Sequence, residues 1–226
     1  MATTLSVARD FKVRLERRSR RAGLSLDAGL IDQLVSYFEL LARWNRKINL
    51  TSITQPDEAI DRLAIEPLVA ARYLPSGRAR HLLDIGSGGG SPAIPLKLAS
   101  PDMALTMVES KVRKSAFLRE AARQLSLEST VVETMRFEEL LTRPELHEAI
   151  DVVSLRAVRT EPRVLMGLQA FLKPGAWFFL FTSAGGPDPQ ASIPPPLTLR
   201  AVHPLVEALR SRLVIIEKQP VGRRPR

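Results

Sequence analysis

The chain has 226 residues, 45% of them apolar, and a formal net charge of +9; this suits one sizeable α/β domain with an additional element. It contains no cysteine, which excludes disulfides, thiolate zinc sites and a cysteine nucleophile, and a reducing, cytoplasmic location is expected. No apolar run reaches the ~18 residues of a membrane span, and the positive charge attracts polyanions such as nucleic acid without specifying their sequence.

The N-terminus is rich in arginine but lacks the apolar run of a signal peptide, and Asp10 and Glu16 argue against a transit peptide. Residues 5 to 22 read as a basic helix carrying Leu5, Phe11, Leu15 and Ala22. Its Arg14, Arg17, Arg18, Arg20 and Arg21 either grip RNA phosphates or form a solvated face. Residues 30 to 43 place Ile31, Leu34, Val35, Phe38, Leu41 and Ala42 on one helical face. TSITQPDEAI then opens a helix with Thr54 as its cap and Pro56 and Asp57 in the first turn. It runs to about Tyr73 and ends at the PSG of 75 to 77.

From there strands and helices alternate. Strands are expected at 81–85, 104–109, 130–133, 151–155 and 176–182, with helices at 92–99, 111–126, 138–142 and 161–172. KPG at 173–175 reads as a turn before the apolar AWFFLFT, and GGPDPQASIPPP is too rich in Pro and Gly for regular structure. Further strands are expected near 197–202 and 212–218. This alternation predicts a mostly parallel sheet covered on both faces, with a ligand site at the carboxyl edge of its strands. The expected division is a helical extension over 1–74 and a Rossmann-like domain over 75–226.

The first strand turns into a helix through HLLDIGSGGGSPAIPLKL. A nucleoside-triphosphate loop needs Lys then Ser or Thr after its second glycine, and none follows here. The dinucleotide pattern fits at Gly86 and Gly88 but fails at Ser91 and Pro92. The spacing Asp84-x-Gly86-x-Gly88-x-Gly90 instead resembles the first motif of class I S-adenosylmethionine-dependent methyltransferases. Glycines there admit close backbone approach, and a ligand without phosphates tolerates acidic neighbours. A second acid, Glu109, ends the next strand, where a carboxylate can accept both ribose hydroxyls. The plainer alternative is a tight strand–helix turn with a capping Asp.

Methylation at a pyrimidine carbon generally requires a thiolate, which this chain lacks. Base-amine methyltransferases often carry Asn/Asp-Pro-Pro-aromatic after the fourth strand, where this chain reads DVVSLRAV. A ring nitrogen with a free lone pair, such as guanine N7, requires no general base, so positioning alone can drive transfer. The histidines at 81, 147 and 203 are scattered and suggest no metal site.

WNRKINLTSIT at 44–54, DIGSGGGSPAIPLKL, ESKVRKSAFLREAARQLSL, MRFEEL, VVSLRAV and LKPG occur in an order that resembles the bacterial glucose-inhibited division protein B family. These are small-subunit ribosomal RNA guanine-N7 methyltransferases, and the likeness covers residues 24 to 182 well. It implies S-adenosylmethionine as cofactor and 16S rRNA or the small ribosomal subunit as partner of a monomer. Gly86 and Ser91 would flank the cofactor, with Asp84 and Gly88 beside them, and Glu109 would meet the ribose. Phe137 and Glu138 would hold the adenine end. Arg156 would sit over cofactor or target base; otherwise it makes a helix-capping salt bridge. Trp44 and Asn45 would touch RNA or pack at a helix end, and KVRK at 111–114 would meet a phosphate or remain an exposed face.

The chain departs from the family pattern at Leu63, Glu66 and Pro67, at Ser91 and Ala93, at Phe137, and in FTSAGG. These departures define the alternative: a methyltransferase-fold protein that binds RNA or cofactor without transferring methyl. A small-molecule methyltransferase and a nicotinamide oxidoreductase rank below both.

Overall fold

A computed structural model describes residues 2–75, 80–156, 161–183 and 193–220, with backbone only for 2–9. Two helices open the chain, α1 (Ala2–Arg21) and α2 (Ala28–Asn45), the second capped by Asp27, whose side chain accepts from the Leu30 amide. The segment from Pro56 to Tyr73 is helical throughout but changes pitch: α3 (Pro56–Ile60), a π-helical stretch (Asp61–Ile65), α4 (Glu66–Ala70) and a 3-10 turn (Ala71–Tyr73). Its cap is Gln55, not Thr54, and Gln55 makes no side-chain capping bond; Pro56 at the first helical position starts the helix instead. Ser76 and Gly77 of the expected terminator lie outside the described residues.

Seven strands follow in the order β3-β2-β1-β4-β5-β7-β6. They are β1 (His81–Ile85), β2 (Ala104–Val108), β3 (Thr130–Glu133), β4 (Ile150–Arg156), β5 (Leu172–Ser183), β6 (Leu197–Pro204) and β7 (Ser211–Lys218). The first five pair in parallel, and β7 joins β5 and β6 antiparallel. Between strands run α5 (Ala93–Ala99), α6 (Val112–Gln124), α7 (Phe137–Leu140) and α8 (Pro162–Leu168). Strand order reverses between β1 and β4, which opens a crevice at their carboxyl ends.

KPG at 173–175 is not a turn ahead of a strand. It lies inside β5, where pairing jumps from Ile150–Leu172 to Val152–Trp177. Gly175, at φ +82°, takes up the resulting bulge. Of the Pro- and Gly-rich segment, only residues from 193 onward are among those described.

Successive strand residues alternate between two cores. Leu82, Val152, Phe179, Phe181, Leu213 and Ile215 join the cluster under α1, α2, α4, α5 and α6. Leu83, Val153, Phe178, Leu180, Val214 and Ile216 join the other, under α7 and α8. This period of two with both faces apolar is what a buried parallel sheet requires. The N-terminal helices therefore share the core of one sheet face. On α2 the buried face is Ile31, Leu34, Tyr37, Leu40 and Leu41. It is rotated from the expected one, leaving Ala42 exposed and Val35 and Phe38 half-buried.

Candidate active site

A cavity of about 480 Å³ opens at the carboxyl edge of β1, β4 and β5, a size typical of small-molecule sites. Gly86, Ser87, Gly88, Gly89 and Ser91 form one wall, and Arg156, Phe181, Thr182 and Ser183 form another. Leu41, Leu50 to Ile53, Arg62, Leu63 and Glu66 close it from the N-terminal segment, and Lys114 reaches it from α6.

The glycine loop is a chain of short-range bonds. The Gly86 and Ser87 amides donate to the Val108 carbonyl, at 2.9 and 3.0 Å. The Gly90 amide donates to the Ser87 carbonyl at 2.6 Å. Gly88, at φ +50°, and Gly90, at φ +86°, hold a conformation that side chains resist. At Gly90 space is short as well: a Cβ would stand 2.5 Å from Ile94 Cδ1.

The two expected acids are buried beside the loop, and neither lines the cavity. Glu109 is buried; its Oε2 accepts from the Gly88 amide at 3.0 Å and its Oε1 from the Lys111 amide at 2.8 Å. It thus shapes the loop, and each oxygen keeps a second lone pair. Asp84 is fully buried at the end of β1, where one oxygen accepts from Ser154 Oγ at 2.5 Å and the other has no partner. Burial pushes its carboxyl pKa up, against the bond from Ser154. Phe137 and Glu138 stand at the start of α7, half-buried and exposed respectively, and neither lines the cavity.

Arg156 ends β4 inside the cleft. Its Nη1 donates to the Arg62 carbonyl, its Nη2 lies 2.9 Å from Glu66 Oε2, and its guanidinium caps the Phe181 ring at 4.6 Å. Although Nη2 is within ion-pair range, it meets no acceptor in hydrogen-bonding geometry. Nε, Nη2 and Glu66 Oε1 are buried without hydrogen-bond partners, with Arg62 Nη1 standing 3.8 Å from that oxygen. Burial raises the Glu66 pKa and lowers that of Arg156, and the mutual attraction of the pair opposes both shifts. Ser91 Oγ and Thr182 Oγ1 are likewise buried and unpartnered. Unsatisfied buried polar atoms are uncommon and costly. Five of them on residues lining one cavity, beside a glycine loop, fit a polar adenosine- and amino-acid-bearing ligand.

Asn45 Oδ1 accepts from the Leu50 and Thr51 amides at 2.8 and 2.9 Å, folding the residues after α2 into the cavity wall. Trp44 packs edge-on to Phe117 and donates Nε1–H to Glu120 at 3.0 Å. Both therefore have internal structural partners. The arginine cluster of α1 also divides. Arg18 grips Asp61 with two guanidinium nitrogens, and Arg14, Arg17 and Arg18 all bond Asp57; Arg20 and Arg21 stay exposed. Sequence reading missed Arg62 at the cleft and Tyr37 behind its glycine loop. The signal for Tyr37 was a phenol within an apolar helical stripe, which demands a polar partner.

Among the described residues no helix is long and apolar enough to cross a membrane, and no cluster of three or more His, Asp or Glu could hold a metal. A family profile described as "rRNA small subunit methyltransferase G" matches residues 30–185. The ribosomal RNA small subunit methyltransferase G of Xylella fastidiosa (strain 9a5c) is 36% identical over 201 residues, 87% of this chain and 91% of that protein. Its namesake from Xanthomonas euvesicatoria pv. vesicatoria (strain 85-10) is 33% identical over 216 residues, 94% and 98% of the two chains. The fold is shared with a SAM-dependent methyltransferase from Aquifex aeolicus at TM-score 0.53 and 14% identity, over 71% of this chain and 93% of that one.

Proposed function

The chain belongs to the rRNA small subunit methyltransferase G family, and from that premise we propose that it methylates N7 of a guanine in 16S rRNA with S-adenosylmethionine as donor. The observation that carries this reading is the cleft at the β1/β4 crossover. There a glycine loop faces a buried arginine and carboxylate that leave polar atoms unpartnered.

The cofactor supplies an electrophilic methyl group on a sulfonium. The glycine loop and Ser91 hold its amino-acid portion, Glu109 meets the ribose with its remaining lone pairs, and Phe137 and Glu138 take the adenine end. Arg156 directs its free N–H groups at an anionic oxygen or a base edge. Glu66 keeps that arginine charged and in place. No residue has to remove a proton, because guanine N7 carries none.

Incubating the protein with small ribosomal subunits, naked 16S rRNA and radiolabelled S-adenosylmethionine tests this directly. The label is expected in 7-methylguanine, which makes the RNA cleavable after borohydride and aniline. With RNA saturating, the single-turnover rate should stay nearly flat from about pH 6 to 9, since no base titrates in the step. A rate rising tenfold per pH unit, or label on an amine, a ribose or a pyrimidine carbon, would overturn the N7 assignment.

A further inference from the structure

The glycine loop is anchored from outside the sheet. Tyr37, fully buried on α2, donates its hydroxyl to the Gly89 carbonyl at 2.5 Å. One turn further along α2, Leu41 abuts the same residue. A Cβ built on Gly89 would stand 3.3 Å from Leu41 Cδ1 and 3.5 Å from the Leu50 carbonyl. Leu41, Leu50 and Gly89 all line the cavity. A buried phenol in an apolar stripe could be satisfied by any nearby acceptor. Here its acceptor is the middle of the loop. Gly88, just before it, is tied by its amide to Glu109, and Gly90, just after it, by its amide to Ser87.

We propose that Tyr37 is a positioning residue for the cofactor: its hydroxyl on the Gly89 carbonyl, with Leu41 beside it, fixes the curvature of Gly88 to Gly90 against the bound ligand. The N-terminal helical segment is then a wall of the cofactor site and not an appendage to it. Three consecutive residues are held from three directions: Gly88 by Glu109 from the sheet, Gly90 by Ser87 from within the loop, and Gly89 by Tyr37 from α2. Burial pushes the Tyr37 phenol pKa upward, so the hydroxyl remains a donor at all working pH values. The proposal rests on the reading of this cleft as an S-adenosylmethionine site.

The test is calorimetric titration of S-adenosylmethionine into the full chain, with thermal unfolding and methyl transfer measured on the same samples. Tyr37→Phe removes one hydrogen bond and should weaken affinity and raise the cofactor KM about fivefold, the scale of one net hydrogen bond, with kcat at saturating cofactor within about twofold. Gly89→Ala approaches the same contact from the loop side and should weaken binding in the same direction. It supplies the answer if Tyr37→Phe does not fold. Lys218→Met is the control. It removes a buried lysine that bonds Glu148 and the Gln169 and Leu172 carbonyls away from the cleft, and should lower Tm while keeping cofactor affinity. If Tyr37→Phe and Gly89→Ala bind as the unaltered chain does, or if Lys218→Met loses affinity equally, the positioning role is wrong and the cofactor reading stands. An unaltered chain that does not bind S-adenosylmethionine overturns both.

Discussion

Asp61 and Glu66 stand at the start and just beyond the end of one π-helical stretch, both buried and both beside an arginine. Around Asp61 the bonding is complete. Arg18 spans both of its oxygens from α1, and Asp57 takes the surplus donors of Arg14, Arg17 and Arg18. Around Glu66 it is incomplete. Arg156 comes from the end of β4, spends one nitrogen on the Arg62 carbonyl, and leaves Nε, Nη2 and Glu66 Oε1 unpartnered at the cavity. The same two side-chain types thus close on each other in one place and leave polar atoms without hydrogen-bond partners beside a cavity in the other.

Removing an arginine from each pair should break the comparison in opposite ways. Arg18→Ala leaves Asp61 buried without its counter-charge and should cost about 3–5 kcal/mol of stability. Cofactor affinity should hold wherever the chain remains folded, so denaturant unfolding and calorimetry on one preparation decide it. Arg156→Ala should lower methyl transfer about 100-fold, the scale of one lost charge-stabilising donor set. Arg156→Lys should lose less, because it keeps the charge but not the planar fork. If Arg18→Ala reduced transfer as strongly with the fold intact, the division between a structural and a ligand-facing pair would be wrong.

The glycine loop sharpens the same contrast. Gly88 has room for a side chain, its nearest neighbour to an added Cβ being the Gly86 carbonyl at 3.7 Å, but its φ is +50°. Gly88→Val should therefore act through backbone strain of roughly 1–2 kcal/mol, weakening cofactor binding about tenfold or more while the sheet still forms. Unchanged affinity in equilibrium dialysis would take the loop out of the site.

The smallest effect is one of pH, and its sign differs between the regions. Asp57 lies below the ordinary carboxylate value, chiefly because of its bond from Arg14, against burial and with help from the charges of Arg18, Arg14 and Arg17. Its stabilisation is complete above the unfolded value of 3.8 and is lost as pH falls through the depressed folded one. Glu66 lies above its ordinary 4.5 because burial outweighs Arg156. Its contribution to stability therefore falls as pH rises from 4.5 through the raised folded value. In thermal unfolding across acid pH, Asp57→Asn should flatten the acid limb. Glu66→Gln should remove a decline on the upper side. Identical profiles for the two variants would refute the opposed environments.

The readings that held share a cause. β1, the glycine loop, β4 and the position of Arg156 are local, set by apolar period, chain reversal and one residue at a strand end. Gly86, Gly88, Ser91 and Arg156 accordingly all reach the cavity. The acids were harder. Asp84 and Glu109 are where strand ends put them, yet their carboxylates turn toward Ser154 and the Gly88 amide. Side-chain direction depends on neighbours far along the chain, 70 residues in the case of Ser154.

By itself the sequence determined a doubly covered parallel sheet, a glycine turn at its first crossover and a family membership. The first two follow from short-range patterning that the backbone must obey, the third from the likeness of several motifs in order. Only the tertiary structure decided which arginines are free. On α1 the residues Arg14, Arg17 and Arg18 read as either a phosphate grip or a solvated face, but the helix packs beside α3 and Asp57 and Asp61 claim them. Likewise only packing brought α2 against the loop, so that the Tyr37 hydroxyl meets Gly89 across 52 positions of chain. Pairing of charges and satisfaction of buried polar groups are decided by whichever partners lie within about 3 Å once the core has closed, and no spacing along the chain encodes that distance.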